Sequence, residues 1–241
     1  MKRIICKDYA ELSRVGAFVF AEQIWRKPDS VLGFATGGTP VGLYDALTAL
    51  YQDGMLDFSR VTTFNLDEYY PMDPSHQQSY HAFMWEKLFS HINIDKTRVH
   101  LPDGTALDPR TACDAYESSL ASSGGIDLQL LGIGHNGHIA FNEPGDALSA
   151  RTNVVTLTER TVDANARFFG SRDEVPRQAL SMGIGSILSA HRLLMLISGK
   201  DKAPAVKQLF SGAVATRFPA SLLLSHPNVL ILLDEDAASL L

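Results

Sequence analysis

Cysteine is nearly missing from this chain: two in 241 residues, Cys6 and Cys113, far apart and without metal-like spacing. That excludes a disulfide framework and fits a reducing compartment. Long apolar runs are also missing, and none approaches the roughly 20 residues of a membrane span. The start, MKRIICKDYAEL, has basic residues but neither an extended apolar region nor a small-residue cleavage pattern. A cytoplasmic protein with no membrane partner is expected. Positive charge is scarce too, with 21 Lys and Arg against 27 Asp and Glu, a net charge of −6. Nucleic acid, which asks for a basic face, is not expected as a partner. Low-complexity tracts, repeats and Pro/Ser linkers are lacking, so residues 1–241 read as one domain.

What is present is a hydrophobic content of 45%, ordinary for a globular chain, arranged as short apolar runs followed by helical patterns. Residues 9–26 place Tyr9, Leu12, Val15, Val19 and Ile24 at helical spacing, stopped by Pro28. VLGFAT (31–36) reads as a strand, and Thr39-Pro40 as the cap and first position of a helix running to about Gly54. VTTFNL (61–66) is a β-branched strand that ends in Asp67-Glu68-Tyr69-Tyr70. Helices are expected over 79–91, 108–122 and 161–169, and another beginning near Ala203 or Pro204. Extended pieces are expected at 98–101, 126–133, 153–157, 192–198 and 228–233, and a loop over 170–178. This alternation predicts an α/β fold: a mostly parallel, doubly wound, Rossmann-like sheet with helices on both faces.

Ligands of such sheets bind beyond the carboxyl ends of the strands. Those ends carry Thr36-Gly37-Gly38-Thr39, Asp67-Glu68, the loop Gly134 to Glu143, and Ser198-Gly199-Lys200-Asp201-Lys202. The paired glycines before a helix suit an anion such as phosphate, although GxxxxGK[ST] is absent. Gly132-x-Gly134-x-x-Gly137 imitates a dinucleotide fingerprint, but Pro144 follows in loop rather than helix, which excludes that reading. His135-x-x-His138 matches no helical zinc motif, so no metal is expected. His138, set before an apolar triplet, has the placement of a partly buried base, with Glu143 to orient it and Asn136 beside it. His135 and Glu68 read as solvated. Asp67 is expected to point into the crevice, where a carboxylate can move a proton between adjacent sugar carbons. Arg151, Arg167, Lys200 and Lys202 are the cations near this edge.

With these clusters in view, the chain resembles glucosamine-6-phosphate deaminases. The resemblance is carried by TGGTP (36–40), TFNLDEYY (63–70), SYHAFM (79–84), GIGHNGHIAFNEP (132–144), ARTNVVTLT (150–158) and ANARFFG (164–170). It implies conversion of a small molecule, glucosamine 6-phosphate, with water to fructose 6-phosphate and ammonia, without metal or organic cofactor. The roles it implies are Asp67 as the base that shuttles a proton from C2 to C1, and His138 as the ring-opening residue. Glu143 would support that histidine. Gly37, Gly38, Thr39, Arg167 and Lys202 would hold the phosphate, and residues 153–182 would form a lid. Asn136 stands where many members carry aspartate, so its support of His138 would come by hydrogen bonding rather than charge. Asn153 and Val155 stand where allosterically regulated members carry arginine and lysine, and a longer C-terminal extension is missing. Both departures imply an unregulated enzyme with hyperbolic kinetics, a monomer or homo-oligomer.

Overall fold

The computed structural model describes residues 1–241, the side chains of Arg160, Ala164 and Phe168 excepted. Strand β1 (Lys2–Cys6) leads into helix α1 (Tyr9–Arg26), whose first turn is capped by the Asp8 carboxylate accepting from the Glu11 amide at 2.8 Å. Leu12, Phe20 and Ile24 on one face of α1 are buried. Next come β2 (Val31–Phe34), α2 (Val41–Gln52) and β3 (Thr62–Asn65). After β4 (Asp67–Tyr70), the chain forms α3 (Tyr80–Lys87), β5 (Val99–His100) and α4 (Pro109–Ser122). The second half holds β6 (Leu128–Leu131), β7 (Asn153–Thr156), α5 (Glu159–Asn165) and β8 (Gln178–Ser181). It ends with α6 (Ile184–Leu188), β9 (Leu193–Ile197), α7 (Ala203–Leu209) and β10 (Val229–Asp234).

Seven strands form one sheet in the order β1-β10-β9-β6-β2-β3-β5, every neighbouring pair parallel. Strands β2, β6 and β9 are buried at every residue, which is why their sequences are nearly unbroken apolar runs. The chain goes outward from β2 through β3 to β5, then returns to β6 beside β2 and goes the other way through β9 to β10. The order therefore reverses between β2 and β6. A crevice opens outside the carboxyl ends of these two strands, the place where doubly wound sheets take ligands.

Three elements are not legible as sequence patterns. Strand β1 is exposed except at Cys6, and α6 is five residues long. Strand β8 pairs antiparallel with β4 and β7 in a second, three-stranded sheet. Only Leu66 separates β3 from β4, and it ties the two sheets together. Its amide donates to Phe34 O at 3.1 Å and its carbonyl accepts from the Met182 amide at 2.7 Å. Residues 67–70 are thus a strand rather than the loop start the sequence suggests, and Asp67 stands on the seam. A separate apolar cluster that includes Tyr69, Phe141, Leu157, Val162 and Ala179 packs around this smaller sheet.

Some expected boundaries shift. Helix α2 begins at Val41 with Pro40, not Thr39, as its cap, and no side chain bonds the first turn. The helix expected over 79–91 ends at Lys87, followed by a 3-10 turn over Phe89–His91. The stretch 161–169 resolves into α5, starting two residues earlier, and a 3-10 turn over Ala166–Phe168. Among the described residues no helix is long and apolar enough to cross a membrane.

Candidate active site

A cavity of about 310 Å³ fills the crevice, a size suited to a small ligand. Its wall is built by the loop after β2, the seam at Leu66-Asp67, the loop after β6, Lys202 and one face of α5.

The loop Thr36-Gly37-Gly38-Thr39 lies along the wall. A side chain at Gly37 or Gly38 would meet nothing within 4 Å, and Gly37 has φ 98°, so the backbone itself is the surface offered. Tyr9 pins this loop from outside. Its hydroxyl is 3.0 Å from Thr39 O and 3.2 Å from Gly38 O, and accepts from the Gly42 amide at 2.8 Å. Because Gly38 O faces Tyr9, the Thr39 amide of the same planar peptide faces the opposite way. Lys202 lies on the 3-10 turn Lys200–Lys202, reached through Gly199 at φ 97°. Asp234 fixes that turn by accepting from the Gly199 amide at 3.0 Å and from the Ser198 hydroxyl. Burial pulls the Lys202 ammonium below its ordinary range, with Asp201 acting in the opposite direction.

His135 is exposed, as expected, but it is not free of partners. Its Nε2 is 2.6 Å from Asp201, and Lys202 Nζ is 3.4 Å from its Nδ1. Arg151 and Lys200 are exposed and lie outside the lining. Arg167, on the 3-10 turn after α5, is likewise exposed and outside it.

Asp67 is buried, 6% exposed, and lines the cavity. Burial, and then the neighbouring Glu68 carboxylate, push its carboxyl up to about 8. Glu68 overturns its expected solvated place: it is 3% exposed and accepts from the backbone amides of Tyr69, Tyr80 and His81, each at 2.9 Å. Tyr80 and His81 open α3 behind the cap Ser79, so Glu68 joins β4 to a helix start that carries partial positive charge. Through that joint Tyr80 is set in the lining. Burial, then Tyr69 and Asp67, push the Tyr80 phenol well above its usual range.

The loop after β6 holds the imidazole. A Cβ at Gly134 would fall 2.1 Å from the His138 ring, so glycine is what lets the ring lie there. Gly137 has φ 83° and its Cβ position is occupied by the Phe218 ring, 2.2 Å away. Ala140 takes the left-handed region at φ 52°. This turn is clamped by Asn142, whose Nδ2 donates to Ile139 O at 3.0 Å and Met182 O at 2.8 Å. Within the clamp, Asn136 Nδ2 donates to Glu143 Oε2 at 2.6 Å, and Asn136 Oδ1 meets His138 Nδ1 at 2.7 Å. A carboxylate only accepts, so the amide nitrogen must face Glu143 and the amide oxygen His138. Nδ1 therefore carries the proton, and Nε2 is the free basic nitrogen. Glu143 Oε1 is 3.5 Å from His138 Nδ1 and accepts from Thr161 Oγ1 at 3.0 Å. Burial pushes the Glu143 carboxyl up, but His138, Asn136 and Thr161 outweigh it and hold it at about 2.

Asp67, Asn136, His138, Glu143, Gly37, Gly38, Thr39 and Lys202 thus line one cavity, and Arg167 does not. Sequence reading missed Tyr80 and the α5 face Thr158, Thr161 and Asn165, which also line it. Their spacing of three and then four is a helical signal, hidden because the helix was expected to start only at Thr161. Among the described residues no group of three His, Cys, Asp or Glu could hold a metal.

The family model of glucosamine-6-phosphate isomerases and 6-phosphogluconolactonase matches residues 12–231. A glucosamine-6-phosphate deaminase of Halothermothrix orenii is 53% identical over 241 residues, covering all of both chains. One of Clostridium perfringens is 52% identical, again over the whole of both. Among solved structures, that of a monomeric glucosamine-6-phosphate deaminase, described as a missing link of the NagB superfamily, superposes with TM-score 0.97. It is 50% identical and covers all of both chains. The mostly parallel α/β fold is thus that of a known group, and the chain belongs to the family of glucosamine-6-phosphate isomerases and 6-phosphogluconolactonases.

Proposed function

We propose that this protein is a glucosamine-6-phosphate deaminase, converting glucosamine 6-phosphate and water to fructose 6-phosphate and ammonia. One observation carries the reading beyond the family. Asp67, a buried carboxylate, and the His138–Asn136–Glu143 relay share a single cavity with an open glycine loop and Lys202. Lactone hydrolysis asks only for an activated water and gives a base such as Asp67 no carbon-bound proton to move.

The phosphate sits against the backbone of Gly37 to Thr39 with Lys202 as its cation, and Arg167 joins if residues 153–182 close further. His138 Nε2 takes the proton of the anomeric hydroxyl and a proton is delivered to the ring oxygen. The C1–O5 bond breaks and C1 becomes an aldehyde. Glu143 and Asn136 stabilise the imidazolium that forms in between. Asp67 then takes the C2 proton while the C2 ammonium gives up a proton to the C1 carbonyl oxygen, forming an enolamine, and the proton on Asp67 is returned at C1. This leaves a C2 iminium, to which water adds and from which ammonia leaves.

Hyperbolic saturation and a monomeric state in a reducing cytoplasm belong to the same proposal. They are supported by Asn153 and Val155 on β7, by the monomeric relative of 50% identity, and by two buried free thiols. The test is a coupled assay for ammonia and fructose 6-phosphate, run beside hydrolysis of 6-phosphogluconolactone. Lactone turnover without ammonia release overturns the reading. A sigmoidal curve that N-acetylglucosamine 6-phosphate makes hyperbolic overturns the unregulated part.

A further inference from the structure

The two oxygens of Glu143 are held from two different elements. Oε2 is fixed from its own loop by Asn136, whereas Oε1, the oxygen facing His138 Nδ1, is fixed by Thr161 from the first turn of α5. Thr161 Oγ1 is also 2.9 Å from the hydroxyl of Thr158, the cap of α5, whose oxygen accepts from the Thr161 amide. Since the carboxylate can only accept, the hydroxyl protons have one consistent direction. Thr158 donates to Thr161, and Thr161 donates to Glu143. With His138 donating to Asn136 and Asn136 to Glu143, two donor chains converge on one carboxylate.

Helix α5 is itself anchored at its middle and just beyond its end. Val162 is fully buried in the apolar cluster under the small sheet, and Phe169 beyond the helix packs edge-on to Tyr69 at 5.6 Å and stacks on His76 at 6.0 Å. The donor that reaches Oε1 is therefore set by packing, not by a free side chain.

We infer that Thr161 is a positioning residue for ring opening: its hydroxyl fixes the Glu143 oxygen that faces His138 and so ties the acid–base relay to the helix roofing the substrate. The inference rests on the deaminase reading for its kinetic consequence, not for its geometry. When the anomeric proton is on His138, the imidazolium needs a carboxylate oxygen in a fixed place. Without the Thr161 bond, Oε2 keeps Asn136 but Oε1 is left with only its 3.5 Å approach to His138 Nδ1, and the carboxylate is freer to turn about the Asn136 contact.

The test compares Thr161→Val, which keeps the branched shape and loses the hydroxyl, with Thr161→Ser, which keeps the hydroxyl. The Val variant is expected to lose about tenfold in kcat on glucosamine 6-phosphate, with the Ser variant within about threefold of wild type. Affinity for the reduced open-chain amino-alditol 6-phosphate, which requires no ring opening, is expected to stay within about twofold in both. A Val variant with wild-type kcat overturns the inference, as does one that loses alditol affinity in parallel, or a Ser variant as slow as Val. A substrate-free readout separates this from the activity reading: the Glu143 side-chain carboxyl, followed by carbon NMR, titrates at higher pH in Val than in wild type or Ser. A wild-type protein that releases no ammonia overturns the deaminase reading, whereas an unmoved Glu143 titration overturns the role of Thr161.

Discussion

The amide of Asn136 donates to Glu143 at 2.6 Å while its oxygen receives His138 Nδ1 at 2.7 Å, so one neutral side chain sets the tautomer of the imidazole. Asn136→Leu, close in shape, removes both contacts, and kcat is expected to fall by about 10²-fold or more. Asn136→Asp puts a second carboxyl against Glu143, and two carboxyls so close share a proton. While that proton is held, Asp at 136 can donate to Glu143 and accept from His138 as Asn does. Activity is expected to stay within about tenfold in the acid range, with a new ionisation appearing as pH rises. An Asn136→Leu enzyme with unchanged kcat would remove the relay from the mechanism.

Asp67 makes both stability and activity depend on pH. Its carboxyl is pushed up to about 8 in the fold, well above its unfolded value. A raised carboxyl binds more protons folded than unfolded, so its contribution to stability is complete below the unfolded value, near pH 4. The contribution is lost as pH rises through about 8. Asp67→Asn, neutral throughout, is expected to melt increasingly above wild type between pH 5 and 8 in thermal scans. Its turnover is expected to drop by about 10²- to 10⁴-fold with ligand binding kept. In the wild type, kcat/KM should rise as Asp67 ionises. The kcat plateau should reach to lower pH, because the C2 ammonium of bound substrate favours the carboxylate.

Glu68 gives a prediction with two signs. Glu68→Gln leaves one of three buried amide donors facing an NH₂ group instead of an oxygen, a cost of about 1–3 kcal/mol seen as a lower melting temperature. The same change removes the charge that helps to raise Asp67. The acid limb of kcat/KM should therefore move to lower pH even as the protein weakens. A limb that stays in place would mean the two carboxyls do not interact.

How far the sequence could be read is set by which contacts are local. Strands β2, β6 and β9 announce themselves because burial on both faces demands apolar residues throughout. Asp67 could be picked out because it follows directly on an apolar run, and His138 because it stands directly before one. Glu68 could not, since its partners are amides 12 and 13 residues ahead that only the α3 docking brings near. The partner of the exposed His135 was hidden for the same reason, Asp201 being 66 residues away. Strand β8 exists only as the partner of β4 and β7, with no pattern of its own strong enough to mark it. Arg167 is the reverse case: a resemblance names it, yet it stands outside the cavity wall.

Lys202 is the one cationic side chain in the cavity lining among the described residues, apart from the histidines. Lys202→Ala is expected to raise KM and the inhibition constant of inorganic phosphate together by about tenfold or more, while kcat falls less than about threefold. Lys202→Arg should recover this only in part, because the site holds a compact ammonium against His135 and Asp201 rather than a planar fork. An equal loss in kcat would move Lys202 from phosphate capture into the chemistry.

Gly134 separates the site from the fold. A methyl group there would stand 2.1 Å from His138 Cε1 and 2.2 Å from Nδ1, and Gly134 does not need the left-handed backbone region. What must yield is a side chain, not the main chain. The ring of His138 is one-third exposed and can swing aside. Gly134→Ala is therefore expected to keep a melting temperature within a few degrees of wild type, since a surface-accessible rearrangement costs about 1 kcal/mol. Its kcat should fall by about 10²-fold, because the displaced imidazole no longer meets Asn136 at 2.7 Å. A Gly134→Ala protein that unfolds early but keeps its turnover when folded would show the reverse, that the glycine serves the loop and not the ring.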